Sequence, residues 1–137
     1  MYKRQRQAFF PGDWFRPGDV GYMDEDGFTF IVDRIKDMIN ASGFKVYPRR
    51  IEDALYEHGA IAEVIVVGIP DEYRGEAPKA YVKLKEGQEA TGAELLQFLR
   101  GKLSKIELPA EIEFRDQLPK TMVGKPSKKE LRAEAKR

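Results

Sequence analysis

The apolar positions change period several times along the chain, and each change predicts an element. Val20 to Met23 and Phe28 to Val32 flank Asp24-Glu-Asp-Gly27, which predicts a β-hairpin with Gly27 supplying the positive φ such a turn commonly needs. Ahead of it, Pro11, Gly12, Pro17 and Gly18 predict a loop over residues 11–18. Met38 to Asn40 and Phe44 to Tyr47 predict a second pair of short strands around a Ser42-Gly43 turn. Pro48 then stands where a helix should begin, and Ile51, Ala54, Leu55 and His58 recur at helical spacing up to a stop at Gly59. Ala62 to Ile69, rich in Val and Ile, predicts a strand buried on both faces; Lys79 to Leu84 alternates and predicts another, with Lys83 facing water. Thr91 and Glu94 make a capping-box pattern ahead of Leu95, Leu96, Phe98, Leu99 and Leu103, an amphipathic helix. Glu111 to Phe114 predicts a last strand, and Ser127 with Glu130 repeats the capping-box pattern before a short basic helix.

From residue 38 onward the order is therefore ββαββαβα. That order predicts an α+β fold: a small sheet of about three main strands plus a short two-stranded hairpin, with helices packed on it. The opening hairpin stands outside this scheme, and an isolated two-stranded ribbon is marginal in water, so it reads as part of something larger. A chain of 137 residues has room for one domain with a real core and not for a second.

Composition removes several function classes. With 24 Lys+Arg against 23 Asp+Glu, the net charge of +1 exerts no overall pull toward nucleic acid or anionic lipid. Basic residues do cluster locally, at Lys3, Arg4 and Arg6 and again at Lys120, Lys125, Lys128, Lys129, Arg132, Lys136 and Arg137. Cysteine is absent and His58 is the one histidine, which excludes disulfide scaffolds, thiol nucleophiles and Cys- or His-rich metal sites. No apolar run has the length of a transmembrane segment, and the polar, basic start does not read as a secretory signal, so a cytoplasmic protein is expected.

Four stretches taken in order, "GDWFRPGDVGYMDEDGF", "FIVDRIKDMINASGFKVYPRRIE", "VIVVGIPDEYRGEAPKAYV" and "LPKTMVGKPSKKELR", resemble the C-terminal part of the adenylate-forming enzymes: acyl-CoA synthetases, firefly-type luciferases and peptide-synthetase adenylation domains. The resemblance spans about residues 12–132 and is nearest in flavour to a fatty-acid–CoA ligase. It implies that residues 1–35 are the trailing segment of a large N-terminal adenylation domain and that 36–137 are a mobile C-terminal domain. ATP, CoA and a carboxylic acid are then the substrates. The implied partner is the enzyme's own N-terminal domain, which would also hold Mg2+, the acyl pocket and the phosphate-binding loop; no Gly/Ser/Thr-rich phosphate loop occurs in this chain, and no metal ligands are expected from it. The fragment alone is expected to be inactive.

Each singled-out residue has a chemical reading beside a plainer one. A carboxylate can accept from two neighbouring ribose hydroxyls at once, and the resemblance gives Asp19 that task; an aspartate in a turn bonding its own backbone is the plainer reading. Pro17 stands where the family usually has threonine before this Gly-Asp. Arg34 by resemblance also approaches the ribose, and Lys36 occupies the hinge between two catalytic poses; the plainer reading is a solvated charge cluster. Gly43, able to let a thin ligand approach the backbone closely, matches the loop beside the pantetheine arm of CoA, or simply makes its turn. Lys45, with Arg100 and Lys102, is assigned to the phosphates of CoA. Lys125 matches the family's catalytic lysine for adenylation: bringing a carboxylate against an ATP α-phosphate sets two anions face to face, and an ammonium bridging them lowers the cost. Its plainer reading is a solvated basic tail. Arg50, where the family often has glutamate, and Pro126, where it often has an aliphatic residue, depart from the pattern.

A rival reading makes the chain a stand-alone α+β binding module that touches nucleic acid or a phosphorylated partner through its basic tail. Aromatic residues do not interleave with the basic ones on any segment, which argues against nucleic-acid stacking. Within the family, a luciferase-like or carrier-protein-loading enzyme is the alternative.

Overall fold

The computed structural model describes residues 7–12 and 14–135. The basic residues Lys3, Arg4, Arg6, Lys136 and Arg137 lie outside the described residues. The chain divides into two compact units, Met1–Lys36 and Asp37–Arg137.

In the first unit β1 (Phe9–Phe10) pairs antiparallel with β2 (Trp14–Phe15), where a continuous loop over 11–18 was expected. The difference comes from side chains: the Phe9 and Phe15 rings meet at 5.6 Å, and the Arg16 guanidinium lies 3.7 Å from the Phe10 ring centroid, contacts that favour closing the ribbon. The expected hairpin is present as β3 (Asp19–Met23) and β4 (Thr29–Arg34). At its turn the Asp24 carboxylate accepts from the backbone N–H groups of Asp26 (3.1 Å) and Phe28 (2.8 Å), and Gly27 takes φ 86°. Many apolar side chains of this unit are exposed, among them Phe10, Trp14, Phe15, Met23, Phe28 and Ile31.

The second unit follows the expected order: β5 (Ile39–Ala41), β6 (Phe44–Val46), α1 (Pro48–Tyr56), β7 (Ile61–Asp71), β8 (Gly75–Leu84), α2 (Gly92–Arg100), β9 (Glu111–Phe114) and α3 (Lys128–Ala135). Strand β8 is the spine. Along one edge it pairs antiparallel with β7; along the other it pairs parallel with β9 over Lys79–Val82 and meets β5 at Gly75. Three main strands with the β5–β6 hairpin attached is the sheet that was expected. Strand β8 begins four residues before the expected Lys79, because the hairpin with β7 carries pairing through Pro78, a residue that argues against a strand from sequence alone.

Two apolar layers sandwich the sheet. Val64 and Val66 join Ile51 and Leu55 of α1 and Leu95 and Leu99 of α2 on one side, while Ile65 and Val67 join Tyr81, Leu118 and Leu131 of α3 on the other. The Val/Ile run of β7 is thus buried on both faces, as a strand covered on both sides must be. The same covering leaves Ala80, Tyr81 and Val82 all buried and Lys83 half-buried, so the alternation expected for this stretch does not expose Lys83 fully.

Helix starts obey local chemistry. Pro48 opens α1. At α2 the Thr91 Oγ1 accepts from the Glu94 N–H (3.2 Å) and Glu94 Oε2 accepts from the Thr91 N–H (2.7 Å), a complete capping box; the backbone bond from Thr91, then its hydroxyl, holds the Glu94 carboxyl below its usual range. The second box does not close that way, because the Ser127 N–H donates to the Pro119 carbonyl at 2.8 Å. Helix α1 ends at Tyr56, short of His58, whose Nδ1 accepts from the Ala60 N–H at 3.3 Å while its ring meets Phe98 edge-on. The free edge of β7 is covered by α1 side chains: the Tyr56 hydroxyl accepts from the Val64 N–H (3.2 Å) and Glu52 from the Val66 N–H (2.9 Å).

Candidate functional site

The segment between Leu118 and α3 forms a braced loop. Leu118 is buried at its foot, and an isolated bridge pairs Lys120 with Pro126. Inside the bridge the Thr121 N–H donates to the Lys125 carbonyl (2.7 Å), the Gly124 N–H to the Thr121 carbonyl (2.8 Å), and the Lys125 N–H to the Thr121 hydroxyl (3.2 Å). Gly124 holds φ 79°, a backbone state other residues rarely adopt, which the reversal demands. The ring of backbone bonds fixes where the loop points and leaves the side chains at its tip outside: Met122, Val123 and Lys125 are exposed. No ion pair engages Lys125 among the described residues, although most basic neighbours are engaged. Pro126, which stiffens the approach to α3, is a bridge partner.

Helix α3 anchors the loop from behind. Leu131 is fully buried; Lys128 bonds Glu52 of α1 at 2.7 Å, and Arg132 bonds Asp37 at 2.6 Å. A further network, which the sequence reading missed, joins β8, β9 and α3. The Lys79 ammonium, itself mostly buried, reaches Glu111 at 2.6 Å and Glu113 at 2.8 Å, while Arg115 reaches Glu113 at 2.6 Å and Glu134 at 2.7 Å. Burial opposes the Lys79 charge, but the hydrogen bonds to Glu111 and Glu113 outweigh it and hold the ammonium well above the ordinary lysine range. The hydrogen bond from Lys79 is likewise what most depresses the Glu113 carboxyl, against its burial. Tyr81 lies under Arg115 and Lys79, and burial pushes its hydroxyl up. The register Lys79↔Glu111 creates this network, and a parallel register leaves no mark in local sequence. Beside the foot of the loop, Glu63, Lys83, Gln117, Leu118, Pro119 and Lys120 line an open cleft of about 490 Å3, in which Lys120 pairs with Glu63 at 2.9 Å.

The other expected residues fall at three places. Asp19 and Arg34 are opposite one another in the β3–β4 register, with Arg34 Nε 3.9 Å from Asp19 Oδ1, so the structure brings these two together; Asp19 is a strand residue and not a turn residue. Lys36 is exposed in the 3-10 turn Ile35–Asp37, at the junction of the two units. Gly43, with φ 82°, follows Ser42 at φ 54°; the Ser42 N–H donates to the Arg74 carbonyl (2.7 Å), which roots this tip on the β7–β8 turn. Apart from Ser42 and Phe44 on either side, no atom among the described residues lies within 4 Å of where a Gly43 Cβ would be, so the backbone angle, not crowding, favours glycine there. Lys45 is exposed on β6. Arg100 bonds Gln97 at 3.2 Å, and Lys102 is paired with Glu57 beside the Phe98 ring, so these two end α2 with partners of their own. Arg50, in place of the family's frequent glutamate, pairs with Glu107 at 3.0 Å. Among the described residues no group of three or more His, Cys, Asp or Glu is placed to hold a metal ion. No helix among them is long and apolar enough to cross a membrane.

The fold defines the class of domain: the chain belongs to the AMP-binding enzyme C-terminal domain family, which it matches over residues 50–125. It is 54% identical over 112 residues to a long-chain-fatty-acid–CoA ligase of Bacillus subtilis, covering 82% of this chain and 20% of that protein. It is 46% identical to a fatty acid–[acyl-carrier-protein] ligase, ScoC, of Streptomyces coeruleorubidus, covering 87% of this chain and 23% of that one. The crystal structure of ATP-bound MatB from Rhodopseudomonas palustris superposes with a TM-score of 0.92 at 33% identity, over 98% of this chain and 27% of that one. The chain thus spans about a fifth to a quarter of the length of the proteins it matches.

Proposed function

We propose that this chain is the C-terminal portion of an ATP-dependent fatty acid–CoA ligase and that it delivers Lys125 to the first of two half-reactions. The observation that carries the reading is the Lys125 ammonium, exposed and without an ion pair among the described residues, on a loop closed by backbone hydrogen bonds. In the first half-reaction a carboxylate oxygen attacks the α-phosphorus of ATP, the bond to the bridging β-phosphate oxygen breaks, and pyrophosphate leaves. Lys125 bridges the two anions as charge builds. Removing one such preorganised donor typically costs on the order of 3 kcal/mol. In the second half-reaction the CoA thiol, losing its proton, attacks the acyl carbon and AMP departs with the C–O electron pair.

Asp19 and Arg34, side by side, are assigned to the ribose of the nucleotide, and Lys36 to the hinge, where an exposed side chain lets the backbone turn without unpacking a core. The Gly43 tip is assigned to the pantetheine arm. For the phosphates of CoA, Lys45 and Arg100 are the better candidates; Lys102 must first leave Glu57. Exposed Phe10, Trp14, Phe15, Phe28 and Ile31 support a first unit that completes a large N-terminal domain, which would hold Mg2+ and the acyl pocket. On this reading residues 37–137 rotate between the half-reactions, the isolated chain is inactive, and the cytoplasm, which holds ATP and CoA, is the compartment. The fatty-acid ligase of Bacillus subtilis supports a fatty acid as substrate; ScoC supports a carrier-protein thiol as the alternative acceptor.

The binding-module reading is disfavoured because Lys120, Lys128 and Arg132 of the basic tail are committed to Glu63, Glu52 and Asp37. The test is product analysis with the full-length enzyme, ATP, a long-chain fatty acid and CoA. Acyl-CoA, AMP and pyrophosphate in equal amounts are expected; ADP and phosphate, or no thioester, would sink the proposal.

A further inference from the structure

Arg132 and Asp37 are separated by 95 positions in sequence and joined by a hydrogen-bonded ion pair at 2.6 Å. Their placement is what matters. Asp37 directly follows Lys36 and is the first residue of the second unit, and Arg132 lies one turn into the helix that the Lys125 loop feeds. The Asp37 side chain is 12% exposed and that of Arg132 is 30% exposed, so the pair is shielded more than an ordinary surface bridge. Leu131, the neighbour of Arg132, is fully buried under the sheet, and Lys128 is tied to Glu52. The helix is thereby fixed to the body of the lobe, while Arg132 fixes it to the point at which the lobe begins.

We infer that Arg132 and Asp37 are positioning residues, which set the Lys125 loop in register with the hinge so that one rotation at Lys36 delivers the ammonium to a single place. The inference rests on the reading of Lys125 and Lys36 above. Its physical ground is leverage. The bond joins the lobe's first residue to the helix behind the catalytic loop, so any slack in it becomes displacement of Lys125. A misplacement of about 1 Å in a reacting constellation costs up to about a hundredfold in rate. Adenylation needs Lys125 in place; thioester formation does not, so loosening the pair slows one half-reaction and spares the other. A merely structural bond would affect both.

The test uses the full-length enzyme and three variants: Arg132→Met, the isosteric Asp37→Asn, and both together. Each half-reaction is measured separately, adenylation as pyrophosphate release without CoA, and thioester formation from supplied acyl-adenylate and CoA. We expect each single variant to slow adenylation about tenfold or more, within the reach of a misplaced group. The double variant should be no slower than the worse single one, with thioester formation unchanged. Asp37→Asn keeps the test alive if Arg132→Met does not fold. Equal loss in both half-reactions, unchanged adenylation, or single effects that multiply in the double variant would overturn the inference. Lys125→Ala, run alongside, separates the two failures. If it stops adenylation while the pair variants do not, the positioning role falls and the reading of Lys125 stands. If it leaves adenylation intact, that reading itself has failed.

Discussion

Gly43 and Lys125 are proposed to serve opposite half-reactions, and each owes its setting to the backbone geometry of a glycine. Gly124 turns the chain at φ 79° so that Lys125 projects from a closed ring of hydrogen bonds, and Gly43 does the same for the tip rooted on the β7–β8 turn. The space around a Gly43 Cβ is open within the chain, so a substitution there is felt as backbone strain and by whatever the tip meets. Forcing an ordinary residue into a left-handed conformation costs about 1–2 kcal/mol. Gly43→Leu in the full-length enzyme is therefore expected to leave adenylation near normal and to slow CoA-dependent thioester formation by tenfold or more, given the reach of a side chain into a narrow channel. Two rates falling together in stopped-flow measurement of the separate half-reactions would argue that Gly43 only shapes its turn. Gly43 was legible in the sequence as a turn former. The assignment of Gly43 and Lys125 to opposite half-reactions comes from the family resemblance, since a glycine has no side chain to advertise a task.

At the scale of elements, what the sequence revealed and what it hid divide by the range of the interaction. Pro48 at the start of α1, the Thr91–Glu94 box and the Asp24–Gly27 turn are decided by neighbours within four residues, and all three form as expected. The parallel pairing of β9 with β8 is not local, so neither it nor the Lys79, Glu111, Glu113 and Arg115 network could be seen beforehand. Pro78 hid the first half of β8 for the same reason, the partner strand overriding local preference. This network gives the sheet a pH signature. The Lys79 bond lowers the Glu113 carboxyl in the folded state, so its contribution to stability is complete above the unfolded carboxylate value of about 4.3 and is lost as pH falls through the lower folded value. Lys79, raised in the fold, contributes below the ordinary lysine value of about 10.4 and loses its part only in stronger alkali. Glu113→Gln should therefore lower the urea midpoint of unfolding at neutral pH and converge on the unsubstituted protein in acid. A difference that stays constant down to pH ~3, below the range where carboxylates protonate, would mean that the charge of Glu113 is not what Lys79 needs.

At the scale of the whole molecule, the proposed function makes the second unit, Asp37–Arg137, a lobe that carries one charge. Apolar layers on both faces of the sheet make it stiff, α3 is tied at Lys128, Leu131 and Arg132, and the loop ahead of α3 holds Lys125 out beyond the reach of any carboxylate among the described residues. That a lobe existed at all could be read from the order ββαββαβα; that its basic tail is mostly spent on Glu63, Glu52 and Asp37, leaving Lys125 unpaired, needed the tertiary structure. The claim on which the rest depends is that Lys125 serves one half-reaction only. It is tested most directly in full-length Lys125→Ala by comparing pyrophosphate release in the absence of CoA with thioester formation from preformed acyl-adenylate. Loss of the first by a hundredfold or more, roughly the effect of removing one preorganised donor, with the second intact, is the expected result. Equal loss of both, or adenylation at the unsubstituted rate, would contradict the account.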